Sequence, residues 1–234
     1  MDLDTQEFNM DIIEKPSPHF RAKRKAEVDT LIIHYISGVN IDKNDPFNVD
    51  TCLDFLTKPI PIGDGKSVKV SAHYMIDREG KIYRLVKDEN VAWHAGKSEL
   101  RGRSIQNSCN DFSIGIEMVG GAWITFTDAQ YTALVELTKD IQSRYTIPRE
   151  NITGHENIAP GRKTDPGKHF NWDKYLDGVF KVPEEVTTTL PKEPAEDKAM
   201  YLAEEMTNNI SDGKETNPFI HMIMTLILKI FNLR

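Results

Sequence analysis

Two histidines, an aspartate, a glutamate and a lysine, drawn from distant parts of the chain, make up the set most able to do chemistry together. His34 stands alone in an apolar run. Glu117 sits in a second such run. His155, Lys163 and Asp165 share one segment, residues 154–167, which is punctuated by three glycines and two prolines. Two neutral imidazoles and one carboxylate form a hydrolytic zinc set that leaves one position open for water. Zinc lowers the pKa of such a water enough to supply a nucleophile near neutral pH. His34, His155 and Asp165 are therefore read as the ligands of a Zn2+ ion. A general base is needed to carry the water proton to a leaving nitrogen, and Glu117 suits that task. A cation is needed beside the developing oxyanion, and Lys163 suits that one. Pro166 biases Asp165 towards an extended backbone. In such a stretch Lys163 and Asp165, two apart, project the same way. Spacing alone does not single out this set, because a histidine in a strand is more often core, and a loop aspartate or lysine more often solvated. The helical HExxH arrangement of zinc peptidases is absent, since His155 is followed by Glu156-Asn157-Ile158-Ala159.

The elements that must position these residues are partly legible. The run Thr30-Leu31-Ile32-Ile33-His34-Tyr35-Ile36 is short, apolar and β-branched, and predicts a strand buried on both faces. Residues 113–118 alternate, with Ile114, Ile116 and Met118 on one face and Ser113, Gly115 and Glu117 on the other. Residues 68–76 and 81–86 predict strands around a turn in which Gly80 supplies a positive φ. Residues 50–57 predict a short helix, after which Pro59 and Pro61 break the chain. Thr127-Asp128-Ala129-Gln130 reads as a capping box. The apolar residues after it recur at helical spacing up to Ile141. Residues 151–168 read as a long structured loop.

The formal charge of −7 and pI near 5.5 argue against a nucleic-acid partner, and the one basic run, residues 21–25, reads as part of a solvated arm. Cys52 and Cys109 form no CxxC pair and read as buried or idle thiols, with a single disulfide between them as the alternative. The first residues lack an apolar leader, so a cytoplasmic protein is expected, or an envelope or secreted one if a leader has been removed. The expected organisation is an N-terminal arm (1–28), a catalytic domain (29–180), a linker rich in Pro, Thr and Glu (181–198) and a C-terminal helical tail (199–234). The apolar run at 219–231 is too short to span a bilayer. It is read as a helix docked on the domain or on a second copy, with membrane contact as the lesser alternative.

Five stretches resemble the AmpD/AmiD-type N-acetylmuramoyl-L-alanine amidases, relatives of phage amidase lysozymes and peptidoglycan recognition proteins. They are Ile33-His34-Tyr35, Val70-Ser71-Ala72-His73-Tyr74, Ala92-Trp93-His94-Ala95-Gly96, Asn110 through Glu117, and Gly154-His155 through Asp165-Pro166-Gly167. The resemblance covers roughly residues 29–178. It implies an α/β fold, a central mixed β-sheet flanked by helices, and cleavage of the amide between N-acetylmuramic acid and L-alanine. It implies zinc on His34, His155 and Asp165, with Glu117 and Lys163 catalytic. Some relatives carry a tyrosine before the His73 position, where this chain has Ala72, but Glu117 is retained. The muropeptide would rest against Trp93, His94 and Gly96, with Lys69 and Arg162 pairing with stem-peptide carboxylates. His73 is expected to be structural. A non-catalytic peptidoglycan-binding module is the alternative. AmpD-like members recycle 1,6-anhydro fragments in the cytoplasm, whereas AmiD-like members face the envelope.

Overall fold

The computed structural model describes residues 10–181. In chain order the elements begin with β1 (Ile12–Glu14), β2 (Phe20–Arg21), β3 (Thr30–Ile36), α1 (Val49–Thr57), β4 (Ile60–Gly63), β5 (Lys66–Val68), β6 (Tyr74–Ile76), β7 (Ile82–Arg84) and β8 (Val91–Ala92). They continue with β9 (Ser113–Val119), α2 (Asp128–Arg144), β10 (Ile152–Gly154), α3 (His155–Ile158) and α4 (Trp172–Phe180). Six strands form one mixed sheet in the order β1-β7-β6-β9-β3-β10. Its neighbours are parallel except the β6–β7 hairpin, where Gly80 turns the chain at φ +84°.

The two long strands, β3 and β9, lie side by side near the middle. Their alternation sorts the faces. Leu31, Ile33, Ile114, Ile116 and Met118 pack against Leu134, Leu137 and Ile141 of α2 and Tyr175 and Val179 of α4. The other face meets α1 through Cys52, Leu53 and Leu56, which pack with Met75 and Val119. Farther along that face, Ile32 is covered by Ala95, Phe112 and Ile158. Both cysteines are buried and free.

Helix α2 starts at the expected capping box. Thr127 Oγ1 accepts from Gln130 N, and Gln130 Oε1 accepts from Thr127 N, both at 3.1 Å. The buried Gln130 amide also donates to the Val119 carbonyl at 2.9 Å and to that of Ile76 at 3.4 Å, tying the helix start to the ends of β9 and β6.

Four local expectations are corrected. Residues 10–28 are no solvated arm. β1 pairs with β7, and β2 pairs with β8. Within the basic run, Arg24 donates to the carbonyls of Asp88, Asn110, Asp111 and Ser113 at 2.7–3.1 Å. Pro61 does not end a segment but lies inside β4, in a two-stranded hairpin with β5, an edge position where a missing N–H is tolerated. Residues 68–76 are no continuous strand: β5 ends at Val68 and β6 begins at Tyr74. The long loop at 151–168 contains β10 and α3. The linker and C-terminal tail, and the self-association or membrane contact expected of the tail, fall beyond residue 181 and so outside the described residues.

Replacing Gln130 with Ala removes the donor that satisfies the buried Val119 carbonyl. A loss of about 1–3 kcal/mol is expected, measured by denaturant unfolding.

Candidate functional site

The register of the central strands sets the site. On adjacent parallel strands His34 of β3 pairs with Glu117 of β9. Gly154, the last residue of β10, pairs with Ile33, so His155 follows beside His34. The three side chains thus come from one row across three strands, on the face away from α2. Neighbouring strands lie about 4.8 Å apart, close enough for these side chains to touch.

Asp165 arrives from the loop after α3. Its carbonyl accepts from Glu156 N at 2.9 Å. The Pro166 ring lies over Gly154, where an added Cβ would come within 2.6 Å of its Cδ. Glycine at 154 therefore allows the two segments to close, which brings Asp165 Oδ2 to 3.0 Å from His155 Nδ1 and 2.9 Å from His34 Nδ1. The two Nδ1 atoms are 2.9 Å apart. All three residues are buried.

The donor set fits a cation. His155 Nε2 lies 3.0 Å from the Ala95 carbonyl, which can only accept. Arg162 Nη2 also lies 3.3 Å from Nε2, but both of its hydrogens go to the Ala95 and Lys97 carbonyls at 2.7 Å, so the ring proton is on Nε2 and Nδ1 is a bare lone pair facing an acceptor-only carboxylate. Buried acceptors that converge with no proton between them are costly unless a positive charge joins them. Two imidazoles and one carboxylate are a set suited to zinc. Burial holds His34 down to about 4, against Asp165, which raises it, so the imidazole is neutral and able to ligate.

Glu117 stands next in the row. Its Oε2 is buried without a hydrogen-bond partner. Burial first, then the nearby Asp165 charge, pushes its carboxyl well above the ordinary value, while Lys163 pulls it down. Such a carboxyl can hold a proton between two transfers.

These residues open into a cavity of about 250 Å3, lined also by Tyr35, Ser71, Trp93, Arg162, Lys163 and Thr164. Among the binding residues expected from the sequence, Trp93 lies on its wall and stacks on His19 at 6.3 Å between centroids. The Arg162 guanidinium is on the wall, but it donates to the Ala95 and Lys97 carbonyls at 2.7–3.1 Å and so braces that loop. Gly96, at φ +56°, lies against the same guanidinium, where an added Cβ would come within 3.3 Å of Arg162 Nη1. His94 is buried beside His34, its Nδ1 3.0 Å from His34 Nε2, and contributes to the cavity wall. Lys69 is exposed and does not line the cavity. His73 is buried, its Nδ1 accepting from Gly115 N at 3.0 Å. Ser71, not among the residues expected from the sequence, also lines the cavity. Its Oγ accepts from Trp93 N at 2.9 Å and holds that ring's backbone, a role that its place in a matched motif hints at but its residue type does not.

The sequence profile of the N-acetylmuramoyl-L-alanine amidase family matches residues 24–168. The 1,6-anhydro-N-acetylmuramyl-L-alanine amidase AmpD of Haemophilus influenzae is 40% identical over 172 residues, spanning 70% of this chain and 89% of the relative. A crystal structure of AmpD superposes with a TM-score of 0.63 at 37% identity, covering 72% of this chain and 94% of that one. The amidase AmiD of Escherichia coli, solved with anhydro-N-acetylmuramic acid-L-Ala-D-γ-Glu-L-Lys, gives 0.53 at 34% identity over 68% of this chain and 60% of that one.

Substitution of Gly154 by Ala should push Pro166, and with it Asp165, away from His155. The expected result is a reduced metal-to-protein ratio, with a stability loss of about 1–3 kcal/mol for the overpacked contact. Elemental analysis and thermal unfolding of the same sample read both.

Proposed function

The chain belongs to the N-acetylmuramoyl-L-alanine amidase family and cleaves the amide joining N-acetylmuramic acid to L-alanine; we propose that it does so with zinc, on soluble 1,6-anhydro-muropeptides in the cytoplasm. The single observation that carries the chemistry is the convergence of His34 Nδ1, His155 Nδ1 and Asp165 Oδ2 within 3.0 Å beside an unpartnered Glu117 oxygen. The anhydro-muropeptide and cytoplasmic readings are supported by the similarity to AmpD, whose name specifies the anhydro sugar and whose length this chain nearly spans.

Zinc bound there would polarise the scissile carbonyl and acidify a water held against it. Glu117 takes the proton from that water and returns it to the alanine nitrogen as the C–N bond breaks. The environment that raises its carboxyl makes the protonated form available for the second transfer. Lys163, on the cavity wall, offers its ammonium to the oxyanion. Trp93 offers an aromatic face to sugar or peptide. Arg162 has most of its donors engaged with backbone, so it shapes the rim and offers a stem carboxylate one free edge. Lys69 would reach only a long stem peptide lying beyond the cavity.

Glu117→Gln tests the proton shuttle. The variant should keep its fold and metal while turnover falls about 10²–10⁴-fold, the usual worth of general acid–base catalysis. Turnover equal to the parent chain would assign the proton transfers elsewhere.

The metal and the substrate are tested together on one preparation. Elemental analysis should find a single zinc per chain, and exhaustive chelation should remove it along with activity. Mass spectrometry of products should show anhydro-muropeptides split faster than intact sacculi. Full activity in chelated protein would overturn the zinc assignment, and equal or faster cleavage of sacculi would overturn the recycling role.

A further inference from the structure

The geometry points to His94 as a positioning residue for the metal: we propose that its imidazole, held in one tautomer by Ser113, fixes the tautomer and direction of His34. This rests on the reading that His34, His155 and Asp165 hold a divalent cation.

The proton positions follow from acceptors that have no choice. Ser113 Oγ lies 2.8 Å from the Cys109 carbonyl, which can only accept, so the hydroxyl hydrogen goes there. That leaves Ser113 Oγ as an acceptor towards His94 Nε2 at 3.3 Å, so Nε2 carries the ring proton of His94. His94 Nδ1 is then bare and accepts from His34 Nε2 at 3.0 Å. His34 therefore carries its proton on Nε2, and its Nδ1 lone pair faces His155 Nδ1 and Asp165 Oδ2. The opposite assignment would set two lone pairs against each other at Ser113. It would also place a proton on His34 Nδ1, between the three ligand atoms.

The two ligand histidines are thus braced differently. His155 uses a backbone carbonyl, the common arrangement for a metal-binding histidine. His34 uses a second imidazole, which needs its own support. The His94 backbone is pinned where Asn110 Oδ1 accepts from His94 N at 3.3 Å and Ala95 N at 2.8 Å. Its ring lies against Gly115, where an added Cβ would come within 2.4 Å of ring atoms. It meets the His34 ring edge-on at 5.2 Å between centroids. Gly115 and Ser113 occupy the same face of β9 as Glu117, so one strand supplies the base, the space for His94 and the acceptor that sets its tautomer.

The experiment measures zinc affinity by competition with a chromophoric chelator. It compares the full chain with His94→Phe, which keeps a flat ring but no acceptor, and His94→Gln, whose amide oxygen can accept from His34 Nε2. Far-ultraviolet circular dichroism verifies folding. His94→Phe should weaken zinc binding about 10–100-fold, the usual cost of losing such a partner. His94→Gln should recover most of it. A merely structural ring would give the reverse ranking, because Phe fills the space better. A folded His94→Phe with parental affinity, or a His94→Gln no tighter than His94→Phe, overturns the proposal. Should His94→Phe fail to fold, Ser113→Ala takes its place. Loss of a single Nε2–H tautomer of His94 in nitrogen-15 histidine spectra, with weaker zinc binding, supports the proposal, and an unchanged spectrum and affinity overturn it. A parent chain that binds no zinc would sink the cation reading itself, a result distinct from any of these.

Discussion

The parallel register of β9, β3 and β10 is the constraint on which the rest of the molecule depends. It sets Glu117, His34 and the residue after Gly154 in one row, on one face. A slip of one residue in β3 would turn His34 into the core beneath α2 and bring Ile33 to the cavity, because side chains alternate with a period of two. The apolar pattern resists that slip. Leu31 and Ile33 are fully buried under α2 and α4, while Ile32 fits beneath the covering loop with Ala95 and Phe112. Packing that is unrelated to chemistry therefore fixes where the chemistry stands.

Within that frame the site works against its own stability. His34, His155, Asp165 and the Glu117 oxygen are acceptors gathered away from water. An unpaired buried polar group is costly, and a charged one more so. Lys163 relieves part of this for Glu117 and stands on the exposed rim. A cation bound there would relieve the rest and so couple metal binding to folding, since any ion that prefers the folded chain stabilises it. The raised carboxyl of Glu117 has the same origin: a site dry enough to strengthen a metal–ligand set also disfavours a free carboxylate.

What the sequence made legible follows the range of the interactions involved. The strands β3 and β9, the capping box at Thr127 and Gln130, and the turn at Gly80 all declare themselves within a few residues. The strands β1, β2 and β10 are two or three residues long and exist only because a distant partner accepts them, so no local pattern marks them. The expected ligands and Glu117 come together, as residue types and motif order suggested, but the register that unites them joins positions more than eighty residues apart. The finer readings were limited for the same reason. Nothing near Arg162 in the sequence reveals that the Ala95 and Lys97 carbonyls occupy its guanidinium. Nothing near Lys69 reveals that it stands outside the cavity.

The basic run at 21–25 shows how a segment that reads as surface can be part of the active-site scaffold. Arg24 is a cation largely withdrawn from water, and burial lowers it to about 10, still charged at neutral pH. Its donors meet the carbonyls of Asn110, Asp111 and Ser113. Arg21 joins it through an ion pair to Asp111 at 2.5 Å, and Lys25 N donates to the same carboxylate at 2.8 Å. These contacts fasten the turn that carries Asn110, which pins the backbone of His94, and Ser113, which faces its ring. The chain of restraint thus runs from Arg24 through the 110–113 turn to His94, and from His94 to His34. Each link is a hydrogen bond between groups with little freedom to choose another partner, and a histidine buried in a strand would need that kind of support to keep its lone pair on target as the proposed metal ligand.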